Sequence, residues 1–488
     1  MNTPLRRVAI AVMLMIVALL LNATYVQVIK ADDYRSDPRN SRVLLDEYSR
    51  QRGQISAGGT VLANSVATED RYKYLRTYPS SPEAYAPATG FYSMQYRTTG
   101  LERAEDSVLN GSDSHLFGQR LVDMVSGRDP RGGNVITTLD PAMQQVAYDQ
   151  LTSKGFTGSV VAIEPSTGRI LTMVSTPSYD PNQLSSHDGA RGTQAWEALS
   201  ADERQPMLNR AVSQTYPPGS TFKVVVTAAA LANNIATPDD QFTAAPNITL
   251  PGTSTTLENY NGTPCGAGQT ASLTDAFRLS CNTAFAELGV KVGAAKLKDQ
   301  AAAFGIGEDR SIPIPVAEST VGTIPDNAAL AQSSIGQRDV ALTPLDNAVI
   351  AATVANGGVR MEPHLIDQLQ GPDLSELSKT KPVSLGQAFN AQVASSLTNL
   401  MIASENNTTG GQPSRYQIAS KTGTAEHGSD PRNTPPHAWY IAFAPAQNPK
   451  IAIAVIVENG GDRALGATGG KVAAPIARAV LDAGLRGG

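Results

Sequence analysis

Three short runs of residues could do chemistry together. They are Ser220-Thr221-Phe222-Lys223, Ser280-Cys281-Asn282 and Lys421-Thr422-Gly423-Thr424, in that order, about 60 and then about 140 residues apart. As patterns they read S-x-x-K, S-x-N and K-T-G-T. The first two arise often by chance. The ordered set is much harder to obtain by accident, and it describes a serine acyl-transfer site with lysine as its base. A serine hydroxyl is a poor nucleophile at neutral pH and needs a base beside it. Residues three apart on a helix share a face, so Ser220 and Lys223 converge if Ser220 opens a helix. The flanking sequence supports that start. Tyr216-Pro217-Pro218-Gly219 cannot be helical, and Thr221 to Ala232 is an apolar, helix-compatible run. A helix N-terminus also offers free backbone N–H groups to developing negative charge. Lys223 can accept a proton only if burial or a nearby cation depresses its pKa. Lys421 would be that cation.

Each motif also has a plainer reading. S-x-x-K alone fits a helix cap with an exposed lysine, but Lys223 lies inside an otherwise apolar run. Ser280-Cys281-Asn282 alone fits a capped turn between helices. Lys421-Thr422-Gly423-Thr424 alone fits a strand edge whose glycine relieves crowding, although a strand glycine also marks close approach of a ligand backbone. Only the joint occurrence favours catalysis.

These residues resemble those of the penicillin-binding proteins and serine β-lactamases. Further segments extend the resemblance to class B penicillin-binding proteins, most of all the actinobacterial PbpA type. They are Arg52-Gly53-Gln54-Ile55 with Leu62-Ala63, Gly100-Leu101-Glu102, Thr137-Thr138-Leu139-Asp140 with Gln144, residues 158–182, Asn209-Arg210-Ala211, Ser334-Ile335-Gly336-Gln337 and Thr343-Pro344. The likeness spans about residues 40 to 485. It implies a mixed α/β (α+β) transpeptidase domain, with an antiparallel sheet and a helical subdomain. An elongated N-terminal non-catalytic α/β domain and a membrane anchor would precede it. It implies that Ser220 is the acylated nucleophile and Lys223 its base. Ser280 and Lys421 would relay a proton to the leaving amine. Asn282 would bind a substrate amide, and Thr422 and Thr424, next to Gly423, the substrate carboxylate. The backbone N–H groups of Ser220 and Thr424 would form the oxyanion hole. The implied reaction is D,D-transpeptidation of peptidoglycan stem peptides with release of D-Ala, open to inhibition by β-lactams. The implied partner is a membrane glycosyltransferase of the RodA/FtsW type.

Composition agrees with an exported globular chain. The 488 residues carry a net charge of −5 and show no basic run, which argues against a nucleic-acid partner. Arg6-Arg7 precede an apolar stretch from Val8 to Ile29, with no good small-x-small cleavage site after it. A cleaved signal peptide and an uncleaved anchor both open this way, and the missing site favours the anchor. The arginines would then stay cytoplasmic and the rest would lie outside. An exported domain permits a disulfide. The two cysteines, Cys265 and Cys281, are either bridged, fastening the 246–270 loop beside the S-x-N motif, or buried as free thiols. The five histidines form no metal-binding motif and no phosphate-binding glycine loop is present, so no metal or cofactor is expected.

Three regions are expected: residues 1–30 as cytoplasmic tip and transmembrane anchor, 31–135 as the N-terminal pedestal or dimerisation domain, and 136–488 as the transpeptidase domain. Residues 128–133 read as the linker. Pro141 to Ser153 reads as a helix, and Val160–Ile163 with Ile170–Ser175 as a hairpin. A helical middle should run from Phe222 to about Val354. Ile418–Lys421, Trp439–Ala444 and Ile451–Val457 should complete the sheet, and Lys471–Leu485 should form the last helix. Ser404 to Arg415 and Glu426 to Pro436 are poor in apolar residues. The second follows K-T-G-T directly, as either a flap over the cleft or a plain surface loop. Two rival functions reuse the same motifs. With water as acceptor the chain would be a carboxypeptidase or β-lactamase, but no E-x-x-L-N element is evident. A β-lactam sensor or inactive scaffold would want a larger cytoplasmic part or lost motif residues, and neither is seen.

Overall fold

The protein is described by a computed structural model that covers residues 3–30, 48–116, 118, 125–126, 131–310, 312–411 and 415–486. The first part of the expected linker, residues 128–130, and the start of the expected N-terminal domain, residues 31–47, lie outside the described residues. The chain opens with a helix, Thr3–Thr24, that runs on as a π-turn, Tyr25–Ile29. Together they make 27 residues, with an 18-residue stretch of mean hydropathy 2.3 of which no part is buried in the protein. A helix apolar on every side and long enough to cross the hydrocarbon core is compatible with a single-pass membrane anchor.

The catalytic half is built on a five-stranded antiparallel sheet. Its strand order is Ala419–Ala425, His437–Ala444, Ile451–Val457, Gly158–Ile163, Ile170–Thr176. The first hairpin in sequence thus pairs with the last strands, Val161 lying opposite Ala454. Alternation along the strands serves two cores at once. Val160, Tyr440 and Val455 face the helices Pro141–Thr152 and Gly469–Arg486. Val161, Ile441 and Ala454 face Pro344–Ala355 and the helical middle. Coverage of both faces explains why His437–Ala444 and Ile451–Val457 are buried at every residue. The helix Pro141–Thr152 starts where Asp140 accepts a bond from the Met143 N–H and proline takes the first turn.

The middle of the chain is less helical than expected. Between the helices Lys223–Ala232 and Leu273–Arg278 lies a small lobe of two ribbons. Gln241–Thr243 pairs with Thr270–Ser272, and Asn247–Thr249 with Thr256–Glu258. The cause is local: residues 246–263 are dense in threonine, glycine, asparagine and proline, which favour strands and turns over helix.

A second sheet has six strands, in the order Glu376–Lys379, Ile366–Gln370, Asn134–Thr137, Ile55–Ala57, Thr60–Ala67, Tyr74–Thr77. Asn134–Thr137 runs parallel to Ile55–Ala57 on one side and antiparallel to Ile366–Gln370 on the other. The boundary read from sequence, between residues 135 and 136, therefore falls inside a strand. Two more strands of this sheet come from far along the chain.

Beside this sheet two of the N-terminal motifs form one ion cluster. Arg52 and Arg76 flank Glu102, and all three are buried. Glu102 accepts from Arg52 Nη2 at 3.0 Å, Arg76 Nε at 2.6 Å and the Tyr78 hydroxyl at 3.1 Å. Burial alone would raise the Glu102 pKa, but the two guanidinium groups overcome it and hold the carboxyl below its ordinary value. Glu102→Ala leaves both cations buried without their shared anion. We expect it to cost about 3–5 kcal/mol of stability, read as a lower urea midpoint at neutral pH.

Candidate active site

Ser220 sits in a short 3₁₀ turn, Gly219–Phe222, and the α-helix Lys223–Ala232 begins one residue after it. The sequence placed the serine in the first turn of the helix itself. The difference comes from Pro217-Pro218 and from Gly219, whose φ of +54° only glycine adopts freely. Thr221 Oγ1 donates to Pro218 O at 2.9 Å and tightens the turn. A 3₁₀ turn eclipses residues three apart, so Ser220 and Lys223 still share a face.

The other two motifs close on this turn. Lys223 Nζ donates to Ser280 O at 2.7 Å and to Asn282 Oδ1 at 2.9 Å, and lies 3.5 Å from Ser280 Oγ. Lys421 Nζ donates to Ser280 Oγ at 2.8 Å and to Thr422 O at 3.0 Å. Ser280 thus joins the two lysines. It holds a left-handed φ of +62° between the helices Leu273–Arg278 and Asn282–Val292. Such a conformation in a serine costs backbone energy and persists where its surroundings enforce it. Among the described residues the Ser220 hydroxyl has no hydrogen-bond partner, so it is free to meet a substrate.

Both lysines are fully buried. Burial, and after it the Lys421 ammonium, push Lys223 well below the ordinary lysine pKa. Burial brings Lys421 down to about 7. The aromatic faces of Phe285 and Phe277 lie 5.2 Å and 5.7 Å from the two ammonium nitrogens and give some return for the lost water. With its pKa held low by burial and by Lys421, Lys223 can lose its proton more readily than an ordinary lysine and serve as a base.

Strand alternation places Lys421 and Gly423 toward the serine turn. Thr422 and Thr424 lie on the opposite face, half-buried at the sheet's open edge. The structure therefore joins Lys223, Ser280, Asn282 and Lys421 by direct hydrogen bonds, with Ser220 one turn before Lys223 and the two threonines beside them on an edge strand. Gly423 relieves crowding, and what crowds it is the serine turn itself. A β-carbon there would meet Pro218 O and Trp439 Cβ at 2.9 Å and Thr221 Cγ2 at 3.0 Å. Gly423→Ala should keep the fold and lower the acylation rate by about a hundredfold, the order of loss that a displacement near 1 Å causes. The check is stopped-flow acylation of the variant beside its thermal midpoint.

Other supports explain motifs outside the centre. Gly336 O accepts from Gly219 N at 2.9 Å, so Ser334-Ile335-Gly336-Gln337 backs the serine turn. The Gln337 carboxamide meets both backbone groups of Glu426 at 3.1 Å and fastens the start of the 426–436 loop. Arg210 Nε and the Tyr216 hydroxyl both donate to Glu458 Oε1, at 2.8 and 2.7 Å. Cys265 and Cys281 are joined as a disulfide.

One buried cluster escaped the sequence. Ser404 and Glu405 open a stretch poor in apolar residues, yet both belong to the helix Ala391–Asn407 and are buried. Glu405 accepts from the Ser420 hydroxyl, from the Tyr440 hydroxyl at 2.6 Å and from Arg478 Nε at 2.9 Å. It thereby ties the K-T-G-T strand to two helices. A carboxylate alone in a polar stretch gives no sign of such partners.

Known proteins share this arrangement. A family model described as the penicillin binding protein transpeptidase domain matches residues 158–482. One described as the penicillin binding protein A dimerisation domain matches residues 52–135. The peptidoglycan D,D-transpeptidase PbpA of Mycolicibacterium smegmatis is 62% identical, and that of Mycobacterium tuberculosis 60%, each over 100% of both chains. Two solved structures of penicillin-binding protein A from M. tuberculosis superpose closely. The ceftriaxone acyl-enzyme has a TM-score of 0.88 at 59% identity, covering 90% of this chain and 99% of the other. The penicillin G acyl-enzyme has a TM-score of 0.86 at 59% identity, covering 89% of this chain and 100% of the other. On residues, architecture and full-length likeness together, this chain belongs to the penicillin-binding protein transpeptidase family.

Proposed function

We propose that this protein is a peptidoglycan D,D-transpeptidase that works through an acyl-enzyme on Ser220. The observation that carries the reading is the convergence of two buried lysines on Ser280, with the half-buried Ser220 one turn before Lys223. Ser220 Oγ attacks the carbonyl of the penultimate D-Ala in a stem peptide, and its proton passes to Lys223. The tetrahedral oxyanion rests on the backbone N–H groups of Ser220 and Thr424. Ser280 and Lys421 pass a proton to the departing nitrogen, the C–N bond breaks, and D-Ala leaves. An amine from a neighbouring stem then attacks the ester, forms the cross-link and frees Ser220. Asn282 holds an amide of the acyl donor. Thr422 and Thr424, with the charge of Lys421, hold its terminal carboxylate.

β-Lactams enter as mimics of the acyl donor, as the named acyl-enzymes of the M. tuberculosis protein suggest. The N-terminal helix would fix the chain in the cell membrane with its catalytic part outside. A RodA/FtsW-type glycosyltransferase would supply the strands to be joined. Residues 1–30, 31–135 and 136–488 would divide the labour as anchor, pedestal and catalyst, with the six-stranded sheet linking the last two.

Intact-mass spectrometry after penicillin treatment tests the reading. The expected result is one adduct per chain, placed on Ser220 by peptide mapping and lasting for hours. A folded protein that gains no mass would be a scaffold, and an adduct that vanishes within seconds would mark a β-lactamase.

A further inference from the structure

Asn282 is fixed at both ends of its carboxamide. Its Oδ1 accepts from Lys223 Nζ at 2.9 Å, and its Nδ2 donates to Glu258 O at 2.9 Å. An amide nitrogen carries two hydrogens. One is spent on Glu258, which leaves the second to donate into the cleft. The direction of that second N–H therefore depends on where the Glu258 carbonyl is held.

Glu258 is the last residue of its ribbon, and Asn259 follows it into the protein. Asn259 is buried, and both ends of its side-chain amide are hydrogen-bonded. Oδ1 accepts from the Thr283 backbone N at 3.0 Å and lies 3.3 Å from the Thr283 hydroxyl, whose one proton can go to it or to Ala245 O. Nδ2 donates to Ala245 O and to Thr263 O, both at 3.1 Å. The Thr283 hydroxyl also reaches Ala245 O at 2.9 Å. Asn259 so binds the two sides of the ribbon lobe to the first turn of the helix that carries Asn282. The Cys265–Cys281 bridge closes the same lobe on the residue before Asn282.

We propose that Asn259 is a positioning residue for recognition of the acyl donor: it holds the Glu258 carbonyl and the start of the Asn282 helix in one frame, and so aims the free Asn282 N–H at an amide carbonyl of the donor. The proposal rests on the transpeptidase reading and on the substrate role of Asn282. It makes the ribbon lobe, which carries no motif residue, part of the specificity apparatus. A purely structural Asn259 would affect every ligand alike. A positioning Asn259 affects ligands that present a side-chain amide.

Two penicillins separate these cases. Benzylpenicillin carries a side-chain amide, and 6-aminopenicillanic acid has the same bicyclic nucleus and carboxylate without it. Second-order acylation rates are measured for both, on the wild type, Asn259→Ala and Thr283→Val. Thr283→Val keeps the side-chain volume and removes only the hydroxyl link, so it serves if Asn259→Ala does not fold. The ratio of benzylpenicillin to 6-aminopenicillanic acid rates is expected to fall roughly three- to tenfold in Asn259→Ala, the worth of one neutral hydrogen bond, and less in Thr283→Val. On top of Asn282→Ala, the Asn259 substitution should lower the benzylpenicillin rate no further. An unchanged ratio in both variants, whether the rates fall together or not at all, overturns the proposal. A wild type that neither penicillin acylates would sink the transpeptidase reading instead.

Discussion

Ser220→Ala is expected to give a folded protein that takes up no penicillin. The substitution removes a hydroxyl that makes no hydrogen bond to the protein among the described residues, on a turn held by other groups. Thr221 Oγ1 reaches Pro218 O, Gly219 N reaches Gly336 O, and Trp439 Nε1 reaches Pro217 O at 3.0 Å. Stability should therefore change little. The rate should fall by roughly 10⁶, the loss seen when a serine hydrolase is stripped of its nucleophile, which places acylation below detection. A fluorescent penicillin read on a denaturing gel, beside a thermal melt, checks both halves. Labelling of Ser220→Ala at the wild-type level would move the nucleophile elsewhere.

Lys223→Ala should lower acylation by roughly 10²- to 10⁴-fold, the range for a lost general base, and should also change the shape of the pH profile. Lys223 acts only when neutral. Its pKa is held well below the ordinary lysine value, first by burial and then by Lys421, so the rate rises with pH as Lys223 loses its proton. Lys421 assists as an ammonium. Burial sets its pKa at about 7 in the free protein, so the rate for free enzyme and ligand falls as pH rises past that point. The wild type should give a bell. In Lys223→Ala the rising limb disappears, since the group that titrates there is gone, and the falling limb stays. Stopped-flow acylation across the neutral range reads this directly. A rising limb that survives in Lys223→Ala would assign the base to another residue.

How much of this was legible depends on where each signal lies. The reacting groups were readable because type and order carry them. An apolar run from Thr221 to Ala232 also said that Lys223 is buried, which is the physical ground of its basicity. The strands 158–163, 437–444 and 451–457 were readable because a sheet covered on both faces writes unbroken apolar runs. Groups acting through long-range partners were not readable. Glu405 and Asn259 lie in stretches that look like loop, and nothing local says that Ser420, Tyr440 or Thr283 will meet them. The 3₁₀ turn at Ser220 was hidden because a spacing of three suits both helix types. The strands 366–370 and 376–379 were missed because short, polar-rich strands take their identity from the partners they pair with.

The six-stranded sheet limits how the protein can be recombined with its relatives. A chimera spliced near residue 136, where the sequence suggests a seam, would cut through the strand Asn134–Thr137. It would also ask a foreign catalytic half to supply the outer pair 366–370 and 376–379. Any mismatch there leaves Asn134–Thr137 as a bare edge, open to pairing with another molecule. The N-terminal half is thus not a detachable cassette. Its exchangeable unit is discontinuous, and grafting it intact means carrying a piece of the catalytic chain along with it.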